Sequence, residues 1–299
     1  MNPLRFLKSL FGGKKQSPGR ARKRLDVQAR FEILRHGVAG TMSQFYVARD
    51  RQRGEIVGLK ICDPQKTAAF EARFKGLNKP SEGEISMMFY HPYIVQTYEY
   101  GLTTENAPYL VMEYLPGGPL HAHIVAQSAF LDQMMLTYIR QGAEALAVVH
   151  EAGFIHRDVC PRNFMFTRDY RVMKLTDFGL TVPATPPFMQ PGNRTGTPNY
   201  MAPELVRRYK TDQRLDVFAF GVSMYEMLAE GELPWERGTT GMAALSHDQP
   251  PVDIRRRRPQ INTELAEAIH WCIEPELPNR CPNMRAFLDR IAHLQSHDG

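Results

Sequence analysis

Short apolar runs between residues 31 and 113 predict mainly strands, and apolar positions at helical spacing from about residue 130 predict helices. Phe31-Glu32-Ile33-Leu34 reads as a first strand, and residues 56–60 as another. Residues 94–100 and 109–113 read as paired strands with a turn between them. Ser81-Glu82-Gly83-Glu84 places Glu three residues after Ser, a capping box that starts a helix. Gly83 weakens that helix, so it is expected to be poorly specified. Residues 130–150 predict a long amphipathic helix, with Leu131, Leu136, Ile139, Ala143, Leu146 and Val149 on one face and Gly153 as its C-terminal stop. Residues 164–166 and 172–175 flank a turn at Asp169-Tyr170 and predict a short hairpin. Residues 180–195 hold four prolines and a glycine and predict a loop. Residues 216–228 are nearly all apolar, which predicts a buried helix. Residues 265–272 and 284–294 predict closing helices.

Composition adds one asymmetry. The 299 residues carry a net charge of +5, yet the first 24 residues hold eight Lys or Arg and no acid. A basic tail is read here, on a slightly acidic remainder. Within it Leu4, Leu7, Leu10 and Phe11 recur at helical spacing until Gly12-Gly13. An interfacial helix at an anionic lipid surface, a presequence-like segment and a solvated tail all fit these residues. Four cysteines (Cys62, Cys160, Cys272, Cys281) lie far apart, which suits free thiols and a reducing, cytoplasmic setting. No run of 18 apolar residues is present. The run Arg255–Arg258 reads as a solvated loop, and no feature calls for nucleic acid.

The candidate chemistry lies in His156-Arg157-Asp158-Val159-Cys160-Pro161-Arg162-Asn163, followed by Asp177-Phe178-Gly179. A bare H-R-D triplet means little, because a polar turn gives the same letters. The Asn five residues after the Asp, and a D-F-G beyond one hairpin, make the stretch resemble the catalytic and metal loops of eukaryotic-type (Hanks-type) protein kinases. Gly196-Thr197-Pro198-Asn199-Tyr200-Met201-Ala202-Pro203-Glu204 resembles the substrate-docking loop of the Ser/Thr members. The resemblance runs from about Phe31 to Leu294. It implies an α+β, two-lobe fold: a small N-lobe of antiparallel sheet plus one helix, and a larger, mainly helical C-lobe. Residues 1–30 are then tail and linker, 31–113 and 114–294 the two lobes, and 295–299 a C-terminal tail.

The resemblance also implies roles. Asp158 is the base that accepts the hydroxyl proton, and Asn163 and Asp177 are ligands for Mg²⁺ or Mn²⁺ on ATP. Lys60, in a V-A-I-K-like strand, holds the α- and β-phosphates, oriented by Glu82 with Glu84 as the alternative. Ser86 stands where the family places a large apolar residue. Gly40 is the one surviving glycine of the phosphate-covering loop, and Phe45 occupies the strand position that follows it. Met112 is the gatekeeper, and the backbones of Glu113 and Leu115 meet adenine. Thr197 bridges Asp158, Asp216 anchors the catalytic loop, and Arg280 pairs with Glu204. The implied activity is transfer of the ATP γ-phosphoryl group to a protein Ser/Thr hydroxyl.

Cys160 departs from the family, whose Ser/Thr members carry Lys there. Arg162, two residues further on, is expected to supply the missing charge, as an Arg at that place does in tyrosine kinases. The alternative is a pseudokinase acting as a nucleotide-binding or scaffolding module. Beside a fixed positive charge the Cys160 thiol could ionise and oxidise, against the plain reading of a structural thiol.

Overall fold

The computed structural model describes residues 24–37, 42–192, 194–235, 247 and 249–299. The basic tail and Gly40 lie outside the described residues. The chain forms two compact units: one takes in the residues up to His91 together with Val95–Leu115, the other Pro92–Ile94 and Pro116–Gly299.

The first unit starts earlier than the expected boundary at Phe31. Asp26 caps a single helical turn, Val27–Arg30 (α1), by accepting a hydrogen bond from the Ala29 N–H. Five strands follow: Phe31–His36 (β1), Ser43–Asp50 (β2), Glu55–Cys62 (β3), Thr97–Leu102 (β4) and Pro108–Glu113 (β5). They pair antiparallel in the order β1-β2-β3-β5-β4. One face of this sheet buries Ala48, Val57, Leu59, Tyr109 and Val111 against Leu25 and Phe31. Arg30 locks the segment in place. Its guanidinium pairs with the buried Asp50 carboxylate at 2.7 Å and with Glu99 at 2.9 Å. Residues 25–30 are therefore packed structure, not linker: apolar burial and a buried ion pair hold them.

The sheet carries more helix than the single one expected. Asp63 caps Pro64–Glu71 (α2) through the Gln65 and Lys66 N–H groups, with Pro64 in the first turn. Glu82–Ser86 (α3) is the expected helix, only five residues long, and its capping box is complete: the Ser81 hydroxyl accepts from the Glu84 N–H while Glu84 accepts from the Ser81 N–H.

The second unit is mainly helical. Gly118–Pro119 (β6) leads into Leu120–Val125 (α4) and the long Ala129–Glu151 (α5). Helix α5 ends at Gly153, whose φ of +82° is the left-handed conformation the stop requires. Phe154–Ile155 (β7) precedes the catalytic stretch. Phe164–Phe166 (β8) and Met173–Leu175 (β9) form the expected hairpin, and Val182–Pro183 (β10) pairs with β7. Pro203–Val206 (α6), Arg214–Leu228 (α7), Thr263–Cys272 (α8) and Met284–Arg290 (α9) complete it. Helix α7 is buried on nearly every side, as its unbroken apolar sequence requires.

Two expectations are corrected here. Arg258 is not solvated: it is buried and pairs with Asp132 at 2.7 Å and Asp298 at 2.8 Å. The last residues are not a loose tail, because the Gly299 N–H donates to the Gln260 carbonyl and the Asn262 N–H to that of His297. No helix among the described residues is long and apolar enough to cross a membrane.

Candidate active site

The catalytic stretch is built on a buried carboxylate. Asp216, in the first turn of α7, is fully buried and accepts hydrogen bonds from the His156 N–H (2.7 Å) and the Arg157 N–H (2.8 Å). Its second oxygen also meets His150 Nε2 at 3.0 Å. These bonds hold Arg157 at φ +69°, a left-handed conformation costly for a side-chain-bearing residue. The twist turns Asp158 toward Thr197. Asp158 Oδ1 accepts from both the Thr197 N–H (2.9 Å) and the Thr197 Oγ1 (2.8 Å). Asp158 Oδ2 accepts from Asn163 Nδ2 at 3.1 Å, and the same amide donates to the Asp158 carbonyl at 2.7 Å.

Gly196 makes this possible and escaped the sequence reading. Its φ is +126°, and a Cβ there would stand 2.7 Å from the Arg157 carbonyl oxygen. Only glycine lets the docking loop approach the catalytic loop closely enough for both Thr197 bonds. The Gly-Thr dipeptide was the available signal.

Asp177 also sits in the left-handed region, at φ +65°, with Oδ1 accepting from the Gly179 N–H at 3.1 Å. The neighbouring backbone ties this loop to the catalytic one: the Thr176 N–H donates to the Asn163 carbonyl (2.9 Å), and His156 Nε2 meets the Thr176 carbonyl. Phe178 is buried with its ring on His156. The proline-rich segment that follows is pinned, not free. Strand β10 pairs with β7, the Ala184 N–H donates to the Gly153 carbonyl, and Phe188 is buried. Beyond it, Glu204 and Arg280 form a buried bidentate pair at 2.8 and 3.0 Å.

On the first unit, Lys60 Nζ donates to Glu82 Oε1 at 2.6 Å, both largely buried. The two readings of this helix start coexist: Glu84 closes the capping box and Glu82 takes the lysine. Gly83, expected only to weaken the helix, is a packing requirement. A Cβ there would collide with Tyr100 on β4, including its Cβ, which ring rotation cannot move. Ser86 is buried. Met112 and Leu115 are buried at the end of β5 and just beyond it. The Glu113 N–H donates to the Gln96 carbonyl, and the Glu113 carboxylate accepts from the Gln96 N–H. Phe45 lies across from Lys60 on the neighbouring strand.

Cys160 corrects the redox expectation. The thiol is buried and lies 3.7 Å from Thr197 Oγ1, whose single proton is given to Asp158. Burial first, and the Asp158 carboxylate second, push it up to about 12, so it stays a neutral thiol. Arg162 is exposed. Its charge is felt at His121 and at Tyr200, and its side chain makes no hydrogen bond to Asp158.

The donor set suits a nucleotide-bound divalent cation. With Asn163 Nδ2 committed to Asp158, its Oδ1 is left as a hard oxygen ligand, and Asp177 adds a carboxylate. Among the described residues no three His, Cys, Asp or Glu side chains gather to hold a metal, so phosphate oxygens would have to complete the coordination.

The model of the protein kinase domain family matches residues 34–291. Hormonally up-regulated neu tumor-associated kinase of Homo sapiens is 34% identical over 240 residues, which cover 79% of this chain and 32% of that protein. A probable serine/threonine-protein kinase of Clostridium acetobutylicum is 30% identical over 266 residues, 87% of this chain and 39% of that protein. An Aurora kinase of Eremothecium gossypii is 34% identical over 210 residues, 70% of this chain and 55% of that protein. The chain thus spans about a third to a half of the length of these relatives. With the family model covering most of the chain and both carboxylate loops in place, the chain belongs to the protein kinase family.

Proposed function

We propose that this chain is an ATP- and divalent-metal-dependent protein Ser/Thr kinase, with Mg²⁺ as the ordinary ion and Mn²⁺ as a substitute. The observation that carries the reading is the Asp158 carboxylate, held on one oxygen by Thr197 and on the other by Asn163. A carboxylate fixed at both oxygens is oriented to take a proton in one direction. Asp158 accepts the proton of the substrate hydroxyl as the oxygen attacks. Asn163 and Asp177 hold the cation, which neutralises the phosphate charge. Lys60, oriented by Glu82, holds the α- and β-phosphates. Glu113 and Leu115 present backbone groups to the base. Thr197 fixes the docking loop to the base and favours a Ser/Thr hydroxyl. Arg162 supplies the charge that Cys160 lacks.

The test is incubation with labelled ATP and Mg²⁺ or Mn²⁺, with Asp158→Asn and Asp177→Ala as controls. Transfer by wild type and its loss in both variants is the expected result. Wild-type-like transfer by either variant overturns the assignment. A second reading, a nucleotide-binding pseudokinase, is favoured by the buried neutral Cys160 and by the exposure of Arg162. Nucleotide binding without transfer in either metal would select it.

We also propose that residues 1–24 attach the protein to anionic membranes from the cytoplasmic side, on the strength of their charge and Leu/Phe spacing. Pelleting with anionic vesicles should fall when the segment is removed or salt is raised. Equal pelleting with and without it refutes the idea.

A further inference from the structure

Strand β3 points two proton-donating side chains at helix α3, and only Lys60 is marked by a motif. Side chains alternate along a strand, so Leu59 and Ile61 turn to one face and Lys60 and Cys62 to the other. The structure agrees. Leu59 belongs to the buried cluster with Val57 and Val111, and Ile61 packs against it. Lys60 and Cys62 are buried on the opposite side, where Glu82 arrives from α3. Glu82 meets both. Its Oε1 accepts from Lys60 Nζ at 2.6 Å, and its Oε2 faces the Cys62 thiol at 3.8 Å, the reach of a long S–H···O hydrogen bond. A thiol is a weak donor, but a carboxylate is a strong acceptor, and burial raises the value of the contact. The Cys62 backbone is itself fixed: it stands across from Ser43 on β2, and the next residue's N–H donates to the Met42 carbonyl at 2.9 Å. Helix α3 has five residues and draws little stability from its own hydrogen bonds. Its capping box employs Glu84, not Glu82. Contacts to the sheet therefore decide where the Glu82 carboxylate stands.

We propose that Cys62 is a positioning residue for the phosphate-holding pair. Its thiol holds the second oxygen of Glu82, so that the carboxylate presents the first to Lys60 in one orientation. This rests on the kinase reading and deepens it, by adding a residue to the same device. Cys62 acts through Glu82, not on the nucleotide. With the thiol gone, the carboxylate turns more freely about its last bond, and Lys60 follows it. The groups assigned to the base, the backbones of Glu113 and Leu115, do not depend on it. Substitution separates a donor role from a packing role. Cys62→Ser keeps a proton to donate and loses apolar volume. Cys62→Val fills the space and has no proton to donate.

The test measures ATP and adenosine affinities of the full chain by calorimetry, with ligand-free unfolding followed in parallel. Cys62→Val should bind ATP roughly threefold to tenfold more weakly, the scale of one hydrogen bond, with adenosine affinity unchanged. Cys62→Ser should bind both ligands as wild type does. In a Glu82→Ala background Cys62→Val should cost nothing further, because the residue acts through that carboxylate. A packing role gives the reverse order, with Cys62→Val close to wild type and Cys62→Ser the weaker, and overturns the proposal. So does parallel weakening of ATP and adenosine, or an equal loss with and without Glu82. Wild type that binds both ligands while Cys62→Val matches it leaves the kinase reading standing without this residue; wild type that binds neither removes the kinase reading itself. Should Cys62→Val not fold, Cys62→Ala, which needs no new room, stands against Cys62→Ser in the same comparison.

Discussion

At the scale of single residues, the departure at position 160 has a physical consequence that the structure sharpens. A family lysine would bring a charge to the Asp158–Thr197 contact. Cys160 brings a buried neutral thiol beside Thr197 Oγ1. The candidate replacement charge is Arg162, which is exposed. If it acts on the transferring phosphoryl group, Arg162→Ala lowers kcat by roughly 10²-fold or more while ATP binding is kept, because the charge is needed where charge develops. Cys160→Lys should then restore part of the turnover to Arg162→Ala. Steady-state kinetics with ATP titration check both; full turnover in Arg162→Ala ends the compensation argument. The positions of the candidate site residues were legible wherever a motif letter carries them, as for Asp158, Asn163 and Asp177. Gly196 was hidden because its task, approaching the Arg157 carbonyl, has no meaning until two distant loops meet.

At the scale of elements, the helix α3 is the instructive case. From sequence it is a capping box spoiled by a glycine. In three dimensions Gly83 is the only residue that lets α3 lie on Tyr100 of β4, and so the only one that keeps Glu82 beside Lys60. Gly83→Ala, which raises intrinsic helix propensity by about 1 kcal/mol, is therefore expected to lower kcat/KM for ATP. The ordinary propensity argument predicts the opposite, so the same kinetic measurement decides between them. Helix α6 shows the complementary case. The resemblance to the kinase family implied the pairing of Glu204 with Arg280, and the pair is almost fully buried. Arg280→Ala leaves a buried carboxylate without its partner and should cost about 3–5 kcal/mol. Denaturant unfolding of the variant measures this; a loss below about 1 kcal/mol, the scale of an exposed pair, would contradict the burial.

At the scale of the whole molecule, several buried acids are held in their neutral forms. Burial pushes Cys160, Tyr138 and Tyr225 each up to about 12. Each phenol donates to a carbonyl oxygen, Tyr138 to Tyr170 and Tyr225 to Val252, and loses that bond on ionising. The folded values are raised above the ordinary 9.0 for the thiol and 10.0 for the phenols. Their stability contribution is therefore complete below about pH 9 and is lost as pH climbs toward 12. Unfolding free energy measured at pH 7, 9 and 11 should fall over the last step, and less steeply in Cys160→Ala or Tyr138→Phe. A flat profile would contradict it.

The sequence by itself determined most of the strands, the long helix α5, the buried helix α7 and the two carboxylate loops, and the family resemblance implied the Lys60–Glu82 and Glu204–Arg280 pairings. The elements and loops follow from periodicity and from motifs whose letters lie close together in the chain, so short-range chemistry suffices to read them, whereas the two pairings join distant residues and were read only through the resemblance. The tertiary structure alone decided that residues 25–30 belong to the first sheet, that Arg258 is buried between Asp132 and Asp298, and that the Cys160 thiol is neutral. It also decided why Gly83 and Gly196 are glycines. Each of these depends on what a residue meets across a long stretch of chain. A charge run or a glycine carries no record of its partner, and only packing shows whether an arginine is solvated or desolvated and whether a missing side chain is a weakness or a space already filled.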